Sequence, residues 1–338
     1  MTVKVGINGF GRIGRNYLRA VLESKADIEV VAINDLLSTK TNAHLLRYDS
    51  TQGRLKEKVE VKDDALVVDG KEIAIFAERN PADIPWGKYD VDVVIESTGR
   101  FTKRTDAASH LESGVKKVII SGPSGDADAT FVVGVNDQDY DKENHDVISC
   151  ASCTTNCFVP MVKVLDDTFG VEHGLMTTIH AYTNDQELLD LGRDNLRRAR
   201  AAAVNIVPTT TGAARATSLV LTAMKGRLDG HSLRVPVPVG SITDFTAIVS
   251  GDLNVEKVNE AFQKAASEGP ISKVLVYSDE EIVSSDIVGT PASCTFDSKL
   301  TLAMPLGNDT TLVKVFGWYD NEWGYSNRLV DMTQIVVA

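Results

Sequence analysis

Cysteine is scarce in this chain. Its 338 residues hold four, and three of them (Cys150, Cys153, Cys157) are crowded into the stretch SCASCTTNC at 149–157. So few thiols, so bunched, exclude the disulfide framework that braces small secreted domains, and they suit a reducing compartment. Long apolar runs are missing as well: nothing approaches the ~18 residues of a membrane span. The opening MTVKVGINGF enters an alternating strand pattern at once and leaves no room for a signal peptide, so the cytoplasm is the expected setting. Positive charge is in the minority, 35 Lys+Arg against 47 Asp+Glu for a net charge of -12. With those charges dispersed, nucleic acid and anionic membrane are excluded as primary ligands, although a local basic pocket is not. Repeats and low-complexity linkers are also lacking.

What is present is a globular composition, 43 % hydrophobic and 24 % charged. The length exceeds one ordinary core and accommodates two domains. Short apolar runs alternate with helical patterns in the first third. VKVGIN precedes RIGRNYLRAVLES, where Ile13, Leu18, Val21 and Leu22 recur at helical spacing, and IEVVAIND, VDVVIEST and KKVIISG follow. KRTDAASHLESG reads as a helix between the last two. Strands alternating with helices predict a parallel, doubly wound sheet. Beyond residue 150 the runs lengthen, as in GVEHGLMTTIHAYT, GRLDGHSLRVPVPVGSITDFTAIVS and TTLVKVFGWYDNEWGYS, which predict a large antiparallel or mixed sheet. The fold class expected is α/β: an N-terminal Rossmann dinucleotide-binding domain over 1–152, then an α+β catalytic domain over 153–319. A C-terminal helix over 320–338 is expected to return to the first domain.

GFGRIG at 9–14 matches G-x-G-x-x-G, follows a strand, opens a helix, and has Asp35 ending the next strand. In that context it is a dinucleotide fingerprint. Gly9 permits the tight turn, Gly11 lets backbone approach a pyrophosphate, and Gly14 allows close helix packing. The helix start offers free N–H groups and a positive dipole end to the diphosphate. Asp35 would accept hydrogen bonds from the adenosine ribose and repel a 2′-phosphate, which favours NAD over NADP. Its bland alternative is a strand-end turn residue.

The cysteine cluster has a superficial metal reading, since C-x2-C-x3-C is near some cluster-binding spacings. A fourth ligand is wanting, because Cys294 is distant, and no metal is expected. HDVIS reads as a strand and SCTTNCFVPMVKVLDDTFG as a helix capped by Ser152, with Pro160 in its path. Cys153 then stands in the first helical turn, where dipole and N–H groups lower a thiol pKa and can hold an oxyanion. Cys150 and Cys157 are expected to be small core residues. A base is required. His44, His110, His145, His173 and His231 have polar or helical surroundings and read as surface residues, whereas His180 ends LMTTIH just before a polar loop.

Taken together, GINGFGRIGRN, ASCTTNC, TTIHAYTNDQ, LRRARAAA, PTTTGAA, LRVPVP and WYDNEWGYS resemble the phosphorylating glyceraldehyde-3-phosphate dehydrogenases (type I, glycolytic), in family order and over nearly the whole chain. The resemblance implies that Cys153 is the nucleophile and His180 its base, with NAD as cofactor. It implies oxidation of glyceraldehyde 3-phosphate through a hemithioacetal and thioester, and release of 1,3-bisphosphoglycerate by inorganic phosphate. It places Thr183 and Arg234 on the substrate phosphate, with Arg198 nearby, and Ser152, Thr154, Thr211 and Gly212 on the inorganic one. The LRRAR stretch has a plain solvated face as its alternative, at Arg200 above all. Phe10, Arg12, Ile13, Arg79, Ser97, Thr98, Gly99, Ser121 and Asn184 fall to the cofactor. Asn321 would bind the nicotinamide amide, and Tyr325 would pack on the ring or simply fill core. The loop from about Tyr182 to Val204 resembles the family's S-shaped interface loop, which implies a homotetramer.

Departures from the family text surround the thiol: Cys150, Phe158 and Val159, Gly122, Glu187, Gly192, and Val237, Val239 and Gly240. Of these, Cys150, Phe158, Val159, Glu187 and Gly192 raise the expectation of an isoform tolerant of thiol-directed natural products, a form of antibiotic resistance, with Glu187 opposing anionic inhibitors. Three other readings stand beside the principal one: an erythrose-4-phosphate dehydrogenase, an NADP-using form (Leu37 and Gly192 bear on specificity), and a binding module with inactive chemistry.

Overall fold

A computed structural model describes residues 2–338. The chain divides into two compact units. One comprises the chain up to Phe131, Asn136–Ala151 and Ser326–Ala338; the other comprises Val132–Val135 and Ser152–Tyr325. The last helix, Trp323–Ile335, starts three residues later than the sequence reading placed it.

The first unit is built on β1 (Val3–Asn8), α1 (Arg12–Glu23) and β2 (Ile28–Asn34). Strand 93–96 pairs with β1 on its other side, so β1 lies where the strand order reverses, the place at which doubly wound sheets bind ligands. Strands 117–120, 147–149 and 129–130 extend the parallel sheet one way and 71–76 the other; 65–68 and 59–62 close that edge antiparallel. Val93, Val94 and Ile95 are all buried, as a strand covered on both faces requires. Of KRTDAASHLESG only Arg104–Ala107 is α-helical; Ala108–Ser113 winds as a 3-10 helix ended by Gly114 at φ 86. That 3-10 turn puts His110 fully inside, which corrects its reading as a surface residue.

The second unit carries a mixed sheet. The long strands 171–181, 241–250 and 310–319 pair antiparallel, while 228–235 runs parallel to 171–181. Strand 241–250 alternates buried and half-buried residues along its length. Its buried face meets the helix Cys153–Phe169 in a core that includes Phe158, Met161, Leu165, Phe245 and Val315. Phe158 and Phe245 meet edge to face, with ring centroids 4.9 Å apart. Pro160 stands inside this helix without ending it. Gly317 is required where it stands: a Cβ there would meet the sulfurs of Cys294 and Met161 at 2.6 Å and that of Cys157 at 3.1 Å. Cys157 and Cys294 are therefore close-packed filling, and all four cysteines are free thiols.

Candidate active site

In the second unit Ser152 caps the helix, its Oγ accepting from the Thr155 N–H at 3.0 Å. Cys153 follows at the first helical position, half-buried. Strand 171–181 brings His180 to it, Nε2 lying 3.4 Å from Sγ. The other ring nitrogen, Nδ1, lies 2.7 Å from the Ala181 carbonyl oxygen. A carbonyl only accepts, so Nδ1 carries the proton and Nε2 turns a lone pair toward the thiol. Sheet register sets Arg234 beside His180, the two residues being partners in the parallel pair of strands.

Burial acts against charge at both groups. It pushes the Cys153 thiol up, although Arg234, the N–H groups of Thr154 and Cys153, and the Thr154 hydroxyl pull it down. It pushes His180 down to about 3, with Arg234 adding to the fall and the Ala181 carbonyl and Asp185 opposing it. The helix terminus expected to lower the thiol pKa is present, but desolvation outweighs it. Neither group ionises alone at neutral pH, and the proton's available move is from sulfur to Nε2.

Arg234 belongs to a cluster of cationic and hydroxyl side chains. Its guanidinium donates to Thr183 Oγ1 at 2.7 Å and to the Ala181 carbonyl at 3.1 Å. Asp185 draws the cations together: Arg198 pairs with it at 2.7 Å, Arg234 approaches to 3.9 Å, and the Thr183 hydroxyl donates to it. Arg198 also donates to Thr209 at 3.0 Å. Arg200 points elsewhere, into an exposed pair with Asp190. Thr211 accepts from the Ala213 N–H, and the exposed Gly212 precedes the helix Ala213–Val220. Thr154 differs from expectation, because its hydroxyl is buried against Tyr319 at 2.9 Å. Tyr319 in turn meets Thr178 at 2.7 Å and sets its ring edge-on to His180. Neither Tyr319 nor Asp185 was singled out from the sequence, although both lie within the quoted motifs.

Asn321 is buried with Oδ1 held by Gly240 N–H at 3.2 Å and Ser241 Oγ at 2.9 Å, which leaves its amide hydrogens as donors. Ser241 Oγ accepts from Ala181 N–H at 3.0 Å, tying this group to the strand of His180. Asn184 is exposed and Tyr325 is buried. Glu187 pairs with Arg193. Its charge is thus answered within the loop, contrary to the expectation that it faces incoming anions.

In the first unit the fingerprint has the geometry a dinucleotide needs. Gly9 holds φ +90, and a Cβ there would strike the Thr98 backbone at 2.6 Å. A Cβ on Gly14 would lie 2.2 Å from the Gly9 oxygen, while Gly11 has nothing within 4 Å. That open backbone at the start of α1 is a fit for a diphosphate. Asp35 accepts the Phe10 and Leu37 N–H groups, each at 2.8 Å, and its carboxylate keeps lone pairs for two hydroxyls. Phe10 contributes main chain only, because its ring is fully buried as apolar core. Arg12 is engaged by Asp49 and Thr51, and Ile13 is half-buried behind it. Ser97 Oγ donates to the Gly9 oxygen at 2.7 Å, and Ser121 N–H donates to Glu96 O at 2.9 Å. Gly99 sits at φ +71. A cleft of about 270 Å³ is lined by Gly9, Gly11, Asp35, Arg79 and Thr98 among others.

Comparison with known proteins agrees over the whole chain. Residues 3–104 match the family model described as glyceraldehyde 3-phosphate dehydrogenase, NAD binding domain, and residues 152–321 match the C-terminal domain of the same family. Glyceraldehyde-3-phosphate dehydrogenase 2 of Streptomyces avermitilis is 62 % identical over 336 residues, 99 % of each chain. The enzyme of Streptomyces coelicolor is 60 % identical over 336 residues, again 99 % of each, and that of Geobacillus stearothermophilus 55 % over 338, 100 % of this chain and 99 % of its own. The chain belongs to the glyceraldehyde-3-phosphate dehydrogenase family.

Proposed function

We propose that the chain oxidises D-glyceraldehyde 3-phosphate to 1,3-bisphosphoglycerate, using NAD and inorganic phosphate. The observation that carries this reading is the Cys153–His180 pair at 3.4 Å, with its tautomer fixed and an arginine cluster alongside. Cys153 Sγ adds to the aldehyde carbon as its proton passes to Nε2 and on to the carbonyl oxygen, which leaves a hydroxyl on the hemithioacetal and a neutral His180. Arg234, Thr183 and Arg198 hold the substrate phosphate, the anion sharing cations that Asp185 now balances. The first-turn N–H groups of Cys153 and Thr154 face the oxygen that gains charge. NAD, which the fingerprint backbone and Asp35 would hold, would supply the acceptor for the hydride of the hemithioacetal carbon. His180 takes the hydroxyl proton from that adduct as the thioester forms. A phosphate oxygen, held by Ser152, Thr211 and Gly212, then attacks the thioester and the Cys153 thiolate leaves.

The decisive assay measures initial rates with NAD and NADP, with glyceraldehyde 3-phosphate and erythrose 4-phosphate, and with and without phosphate. Fast turnover is expected only for NAD, the triose and phosphate together, and it should vanish in Cys153→Ser while NAD still binds. A serine variant keeping a tenth of the rate, or equal rates without phosphate, sinks the reading.

The same proposal includes self-assembly. Leu188, Leu189, Leu191 and Leu196 in the polar loop are 62–81 % exposed, an apolar surface that invites a second copy. A homotetramer should appear by light scattering; a monomer at micromolar concentration refutes it. Four free thiols, one of them reactive, suit the cytoplasm. No described helix is long and apolar enough to cross a membrane.

A further inference from the structure

Beneath the dinucleotide cleft lies a buried polar chain that the chemistry above does not use. Its base is Trp86, fully buried, whose Nε1–H donates to His110 Nδ1 at 3.0 Å. An indole N–H can only donate, so Nδ1 is the accepting nitrogen and the neutral ring carries its proton on Nε2. That N–H faces Glu96 Oε2 at 3.1 Å. Asn8 Nδ2 donates to the same oxygen at 2.6 Å. The other oxygen, Oε1, accepts the Thr98 N–H at 2.9 Å and the Thr98 hydroxyl. Glu96 is 2 % exposed. A carboxylate so deep is tolerable only when its oxygens are filled, and here they take four donors.

From Asn8 the chain continues outward. Asn8 Oδ1 accepts from Asn34 Nδ2 at 2.8 Å, and Asn34 clamps the Glu78 backbone, accepting its N–H at 2.8 Å and donating to its oxygen at 2.9 Å. Asn8 immediately precedes Gly9, Asn34 immediately precedes Asp35, and Glu78 immediately precedes Arg79. Three walls of the cleft and Thr98, the fourth, are thereby referred to one buried carboxylate. Sequence separations of 88 between Asn8 and Glu96 and 14 between Glu96 and His110 mean that no local turn could fix this register.

We infer that Glu96 and His110 are positioning residues for the adenosine half of NAD: the Trp86–His110 bond fixes the ring's tautomer, His110 orients Glu96, and Glu96 sets Asn8 and Thr98. The pair touches no reacting atom. Its effect is on affinity for the adenosine diphosphate-ribose portion, not on the steps at Cys153.

The test uses ADP-ribose as well as NAD, measured by isothermal titration calorimetry on the full-length protein. His110→Phe keeps a ring against Trp86 but deletes both bonds. It should weaken ADP-ribose and NAD by the same factor, about tenfold, the lower end for losing a hydrogen bond to a charged group. The kcat at saturating NAD and the KM for glyceraldehyde 3-phosphate should stay within about twofold, as for a contact made equally in ground and transition states. His110→Gln restores one donor and one acceptor and should recover most of the affinity. Trp86→Phe, a milder change, should weaken ADP-ribose in the same direction and keeps the test alive if His110→Phe does not fold. Unchanged ADP-ribose affinity in His110→Phe, or in Trp86→Phe where that is the variant that folds, overturns the inference. So does equal weakening in the Phe and Gln variants of His110, which would reduce the residue to packing.

Discussion

Replacing His180 with Asn isolates what the helix terminus does for Cys153 from what the imidazole does. Burial holds the thiol above its ordinary value of 9.0 despite Arg234 and the first-turn N–H groups. A thiol above that value is less than about 1 % ionised at pH 7, since each unit is a factor of ten. With Nε2 gone from its 3.4 Å contact, the sulfur loses the proton acceptor that faces it. Alkylation by iodoacetamide in the variant should therefore run at least about 100-fold below its alkaline limit at pH 7. The rate should climb tenfold per pH unit and reach no plateau below pH 9. Wild-type protein should keep a fast reaction at pH 7, because the proton moves within the pair. The kcat of the variant should fall by about 10²–10⁴, the range for a lost base. ADP-ribose affinity should not change. A plateau at or below pH 7 in the variant refutes the reasoning, for it would mean that the helix terminus alone ionises a desolvated thiol.

Asp35→Ala should weaken NAD and narrow the gap to NADP, since the carboxylate both accepts ribose hydroxyls and repels a 2′-phosphate; an unmoved NAD/NADP ratio of KM values reduces Asp35 to its bonds with Phe10 and Leu37. At Asp49 burial pushes the carboxyl up, but the Arg12 guanidinium and the Gln52 and Thr51 N–H groups outweigh it and hold it well below the usual range. A depressed folded pKa stabilises above the unfolded value of about 3.9 and loses that contribution as pH falls below it. Asp49→Asn should thus cost more stability at pH 7 than at pH 3, with the difference vanishing only at pH below the depressed folded value, in urea midpoints taken across that range. Cys150 is buried, and so is Phe158 on the helix that carries Cys153, so any tolerance of thiol-directed inhibitors from them must act through packing. Cys150→Asn with Phe158→Leu should then speed inactivation of Cys153 by an epoxide lactone at equal turnover; equal inactivation rates remove the idea.

Much of the fold was legible because its signals are local. A glycine that must hold φ +90, a serine that must cap a helix and a strand covered on both faces each leave a mark within ten residues of sequence. Runs of three or four buried Val and Ile announced the parallel sheet, and longer alternating runs announced the mixed one. KRTDAASHLESG misled because its composition suits a helix, whereas packing of His110 against Trp86 decided the outcome, and Trp86 is 24 residues away.

The site divides the same way. Cys153 and His180 could be nominated separately, one from a helix start and one from a strand end, and the fold then set them 3.4 Å apart. What could not be read was the sign of the thiol's shift. Helix dipole and N–H groups are local and predict a fall, whereas desolvation is a property of everything packed around the sulfur. For the same reason Glu187 reads as a free charge until Arg193 is seen to answer it, and Glu96 reads as the end of a strand until four donors are found around it. A carboxylate's role depends on its partners. Where those partners come from distant segments, as Asn8 and His110 do at Glu96, sequence order conceals the role that the fold makes plain.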